Sequence, residues 1–102
     1  MTSMKDRENA FESKFAHDAE MQFKAEARRN KLLGLWAAEL LGKSDAEAYA
    51  REVIKADFEE PGDEDVFRKV SGDLGHLADE ATIRSKMKAL LGEAKAQLIE
   101  EA

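Results

Sequence analysis

Residues 5–31, KDRENAFESKFAHDAEMQFKAEARRNK, hold no glycine or proline, and the first of either in the chain is Gly34. Nothing in the stretch therefore forces a helix to break. Phe11, Phe15, Ala19, Phe23 and Ala27 succeed one another at steps of four, which places them on one drifting helical stripe. Most positions between them are charged or carry an amide. Aromatic side chains on so polar a helix need something to bury against. For Phe23 and Ala27 the expected cover is the protein's own core. Phe11 and Phe15 lie three turns beyond what a small bundle covers, and are expected to serve another protein.

Working outward, LLGLWAAELLG at Leu32–Gly42 changes the character of the helix. Leu32, Leu33, Leu35, Trp36, Leu40 and Leu41 form a wide apolar face, as on a core helix. The second half of this long first helix thus anchors it. The first half is expected to be loosely ordered when free, because an isolated charged segment of this length is only marginally helical in water. Gly42 ends the helix, and SDAE at Ser44–Glu47 offers a capping box with Ser44 as N-cap and Glu47 at the third helical position. The second helix carries Ala46, Tyr49 or Ala50, Val53, Ile54 and Ala56 or Phe58 inward, and stops at Pro61–Gly62. Asp63 is placed to cap a short third helix with Val66, Phe67 and Val70 inside, closed by Gly72 and Gly75. A fourth begins near Ala78–Asp79 with Leu77, Arg84, Met87, Leu90, Leu91, Ala94 and Leu98 on its inner face. Gly92, costly inside a helix by about 1 kcal/mol against alanine, suggests a close helix contact. No strand signal appears. The expected fold is all-α, a small four-helix bundle over residues 19–102 preceded by a separate segment, residues 1–18.

Composition narrows the function classes. A chain of 102 residues makes one small domain with little room for a deep substrate cleft. It has no cysteine, which excludes disulfides and thiolate metal sites. No signal peptide or membrane-length apolar run is visible, so a cytoplasmic protein without direct membrane insertion is expected. The net charge is −6, yet residues 1–31 sum to +1 and the remainder to −7. An acidic body repels nucleic acid and anionic lipid. The first third, dense in both signs, suits a protein partner.

No catalytic motif is present. His17 and His76 stand far apart, neither in a metal or base motif, and there is no phosphate loop or nucleophile elbow. The chain is read as non-enzymatic. DFEEPGDEDVFR at Asp57–Arg68 resembles a calcium loop but puts Pro61 at its fifth position and Arg68 where the bidentate glutamate belongs; it is an acidic interhelix loop. Arg28, Arg29 and Lys31 form a basic cluster that matches a nucleotide phosphate, although simple placement opposite Glu20, Glu26 and the acidic body explains it first. No other cofactor is implied. An amphipathic membrane helix is disfavoured for the opening stretch by Asp6, Glu8 and Glu12. His17 offers a protonation switch, with a solvated histidine the simpler reading.

Asp6–Gly42, DRENAFESKFAHDAEMQFKAEARRNKLLGLWAAELLG, resembles the opening of the zeta subunit of the alpha-proteobacterial F-type ATP synthase. The Pro-Gly loop and IRSKMKALLGEAKAQ at Ile83–Gln97 also resemble that family. The resemblance implies an inhibitor of ATP hydrolysis that acts on the alpha, beta and gamma subunits of the catalytic head. Like the mitochondrial inhibitor protein, it would insert a helix at an αβ interface against the central stalk. It would be held in this way at the cytoplasmic face of the inner membrane. Carried over, the inhibitory positions fall within Met4–His17. Lys5, Arg7 and Lys14 make charge contacts, Phe11 and Phe15 are the apolar anchors, and Asp6 lies among them. A nucleotide-sensing helical domain and a generic helical adaptor are the alternatives.

Overall fold

The computed structural model describes residues 19–58 and 62–101. Four helices account for nearly all of them: α1, Ala19–Leu41; α2, Ala46–Ala56; α3, Glu64–Leu74; and α4, Glu80–Glu101, with a 3-10 turn at Gly75–Leu77 before the last. The fold is the expected all-α bundle, and no strand occurs among the described residues. Its two long helices, α1 and α4, pack on each other, and α1 also touches both short ones. Residues 1–18, expected to form a separate segment, lie outside the described residues.

The helix ends follow from local chemistry. At the end of α1, Gly42 takes φ +70°; its N–H donates to the Glu39 carbonyl, and that of Lys43 to the Ala38 carbonyl. This is a Schellman arrangement, which favours glycine because the left-handed backbone is strained with a Cβ. The cap of α2 is Asp45 rather than Ser44. Its carboxylate accepts from the Ala48 N–H at 3.0 Å, where a charged acceptor also complements the helix dipole. Asp63 does precede α3, but its side chain makes no cap hydrogen bond; it is engaged elsewhere. Gly72 lies inside α3, and Gly75 ends it. Asp79 caps α4 by accepting from the Thr82 N–H at 2.8 Å; hydrogen bonding with the Thr82 side chain, then with that N–H, holds the Asp79 carboxyl below the usual carboxylate range.

The core consists of Leu33, Ala37 and Ala38 from α1, Tyr49 and Val53 from α2, Val66, Phe67, Val70 and Leu74 from α3, and Ile83, Met87 and Leu90 from α4. Three sequence readings need correction. Phe23 is not a core residue: 57% of it is exposed. On α4 the buried face is Ile83, Met87, Leu90 and Ala94. Leu77 is exposed there, and the Arg84 guanidinium stacks on the Phe67 ring at 3.9 Å; choosing Arg84 instead of Ile83 turned the inner face by one residue. The close helix contact lies at Gly34 instead of Gly92. A Cβ at Gly34 would stand 2.6 Å from the Ala50 Cα, whereas one at Gly92 would meet nothing.

The buried face of α1 is built largely from small residues, Ala25, Gly34, Ala37 and Ala38, around Leu33. Small side chains let α2 approach closely. Two larger apolar groups near the ends of α1 stay exposed, Phe23 and Leu40, although Phe23 shares a stripe with Asn30 and Gly34, and Leu40 with Leu33 and Ala37.

Candidate functional site

Two features of α1 concern function: a buried polar knot on its inner side and an apolar, cation-rimmed groove on its outer side. The knot starts at Arg29, whose side chain is only 1% exposed. Its Nη2 donates to Asp63 Oδ1 at 2.8 Å and its Nε to Asn30 Oδ1 at 2.7 Å. Asp63 is thereby drawn onto α1, which explains why its side chain does not cap α3. A guanidinium can enter the interior only with such partners, since an unpaired buried charge is far costlier. Nearby, burial pushes the Asp57 carboxyl up, and Asn30 and Arg29 partly offset that rise. Both ends of the α2–α3 connection are thus drawn to one turn of α1.

The groove lies where α1 passes α2 and the end of α4. Phe23, Ala27, Ile54 and Leu98 supply its apolar lining, with Lys24, Arg28, Lys31 and Glu101 around them. Phe58 lies beside it, 66% exposed, its ring centroid 6.3 Å from that of Phe23. Arg28 reaches across to α4, donating to Gln97 at 2.8 Å and to both Glu101 oxygens at 2.8 and 2.9 Å. That pairing raises the Arg28 pKa and lowers that of Glu101.

A third polar group sits at the opposite end of α2. The Tyr49 hydroxyl donates to Asp73 at 2.8 Å, and Lys69 pairs with Asp73 at 2.8 Å and with Glu52 at 3.4 Å. Burial, then the bond to Asp73, pushes the Tyr49 hydroxyl well above its ordinary pKa. Burial acts to raise Asp73 as well, but Lys69 and Tyr49 outweigh it and hold that carboxyl low. The phenol therefore stays neutral near pH 7, and the cluster cross-links α2 to α3. No group of side chains suited to a metal ion occurs among the described residues. No described helix is long and apolar enough to cross a membrane.

Of the residues singled out in the sequence, Arg28 and Lys31 share the outer groove, whereas Arg29 turns inward to Asp63. The structure does not bring the three cations together. Met4, Lys5, Asp6, Arg7, Phe11, Lys14, Phe15 and His17 lie outside the described residues. Sequence reasoning missed Phe58 as an outer residue. Its signal was an aromatic one turn after Ile54, directly before the acidic Pro-Gly loop, where no further turn of helix remains to bury it.

Across residues 1–97 the sequence matches the family described as ATPase inhibitor subunit zeta. The chain belongs to that family. The match covers the Phe11–Phe15 stripe and all four helices of the zeta-type bundle except the last residues of α4. No curated protein matches the chain significantly.

Proposed function

We propose that this chain stops ATP hydrolysis by an F-type ATP synthase, inserting residues 4–17 as a helix into the catalytic head. The site would be an αβ interface beside the gamma subunit of the central stalk, reached from the cytoplasmic face of the membrane. The observation that carries the proposal is the family match, which takes in the opening stretch as well as the bundle. The physics agrees with it. The core of the described bundle is built from residues of α1 to α4, and in this proposal Phe11 and Phe15 go to the partner.

The mechanism is a wedge. A catalytic interface opens and closes with each turn, and a helix that binds one of those states better than the others holds the cycle there. Phe11 and Phe15 supply apolar anchoring, roughly 1.5–3 kcal/mol each when fully buried. Lys5, Arg7 and Lys14, interspersed with Asp6, Glu8 and Glu12, set the register against a surface of both signs.

Replacing both anchors, Phe11→Ala with Phe15→Ala, is expected to weaken inhibition by at least about 10²-fold while leaving the helical circular dichroism of the bundle intact. Undiminished inhibition by the folded double variant would remove these two residues from the role.

A further inference from the structure

Of the three phenylalanines among the described residues, only Phe67 is buried. Phe23, on α1, and Phe58, in the turn just after α2, stand exposed side by side. Around them the charge departs from that of the whole chain, which is −6. Lys24, Arg28 and Lys31 line the groove from α1. Arg51 and Lys55 are exposed on α2, three residues before and one after Ile54, hence on the side of the helix that leads to Phe58. Lys24 is paired with Glu20 and Arg28 with Glu101. Lys31, Arg51 and Lys55 form no ion pair among the described residues.

We propose that this groove is a second docking surface for the ATPase head, taking an acidic amphipathic helix of that partner. The inference rests on the inhibitory reading and extends it from residues 4–17 to the bundle. Two observations choose the occupant. The stripe of Phe11, Phe15, Ala19, Phe23 and Ala27 runs at steps of four, and its described members are exposed or half-buried. The four-residue spacing of the positions assigned as anchors thus continues in the sequence to Phe23 and Ala27, which line the groove. The cations around the aromatic pair then call for carboxylates flanking an apolar ridge, since complementary charge sets orientation and discriminates partners. Docking here would fix the direction in which residues 4–17 leave the bundle and raise their effective concentration at the catalytic interface.

The test uses the full chain with two paired substitutions, Phe23→Ser with Phe58→Ser, and Lys31→Glu with Lys55→Glu. All four positions are exposed, and circular dichroism verifies the fold. Two readouts are taken on the isolated ATPase head: the half-inhibitory concentration for ATP hydrolysis, and binding of the fluorescently labelled chain. Both variants are expected to need about 10-fold more protein in either readout, yet still to stop hydrolysis at saturation, because residues 4–17 are unaltered. Unchanged values for both variants would overturn the groove as a docking site and leave the inhibitory reading standing. Binding without inhibition by the natural chain, weakened by both variants, would refute inhibition and support the groove. Absence of binding would refute both. Sedimentation showing a dimer that Phe23→Ser with Phe58→Ser dissociates would also overturn the inference, giving the face to a second copy.

Discussion

Replacing Asp63 with alanine is expected to destabilise the bundle by about 3 kcal/mol, more than replacing its buried partner. The asymmetry comes from where each charge sits. Arg29 is 1% exposed and Asp63 52%. Removing the carboxylate leaves a guanidinium in the interior with Asn30 as its remaining close acceptor among the described residues and Asp57 acting at longer range. Breaking a buried pair in this way typically costs about 3–5 kcal/mol, and Asp57 keeps the effect near the low end. Arg29→Met instead removes the buried charge and fills the space with an unbranched chain, while Asp63 returns to water. What remains is the lost donor to Asn30, a cost of about 1–3 kcal/mol. The double variant is therefore expected to be more stable than Asp63→Ala alone. Urea unfolding of the three variants measures this. A double variant less stable than either single one would mean that the pair acts through packing, not through an uncompensated charge.

Gly34 and Gly92 are expected to respond to the same substitution with opposite signs. Both lie inside helices, where glycine costs roughly 0.5–1 kcal/mol relative to alanine. At Gly92 a Cβ meets nothing, so Gly92→Ala is expected to gain about that amount. At Gly34 it would stand 2.6 Å from the Ala50 Cα and 3.3 Å from Val53 Cγ2. The nearest atom is backbone, so α2 itself must shift. Gly34→Ala is expected to lose about 1–3 kcal/mol, and Gly34→Val more, because its branches enter the same gap. Thermal unfolding of the two alanine variants reads both signs. Equal gains would show that α1 and α2 are not in close contact at this crossing.

The elements were legible in the sequence because their boundaries are local chemistry. Gly42 and Gly75 end α1 and α3, α2 ends at Ala56 a few residues ahead of the Pro61–Gly62 pair, and short acidic residues precede α2, α3 and α4. The choice between Ser44 and Asp45 as the cap was beyond local pattern, since serine and aspartate are both favoured N-cap residues. On α1 the apolar face of Leu32, Leu33, Trp36 and Leu41 was legible and lies in or against the core, whereas the exposure of Phe23 and Leu40 was not. Hydrophobicity favoured the large side chains, including Phe23, whereas the structure buries a small-residue face that admits α2, together with Arg29 and Asn30. That face depends on a crossing at Gly34 and Ala50, sixteen residues apart in the chain, and no helical periodicity encodes a partner's approach. The same crossing decides the outer groove, which joins α1, α2 and α4. For residues 4–17, proposed as the inhibitory segment, the sequence offered more: a stripe of phenylalanines too sparse for a core, and a family resemblance that the match over residues 1–97 bears out.

ATP hydrolysis by the isolated catalytic head of an F-type ATP synthase, titrated with the full chain and with a chain lacking residues 1–17, tests the central claim most directly. The full chain is expected to stop hydrolysis, and the shortened one to leave it running at any concentration while retaining its helical signal. Equal inhibition by both chains would place the effector in the bundle and contradict the wedge. Failure of both, with each still folded, would contradict inhibition of this enzyme altogether.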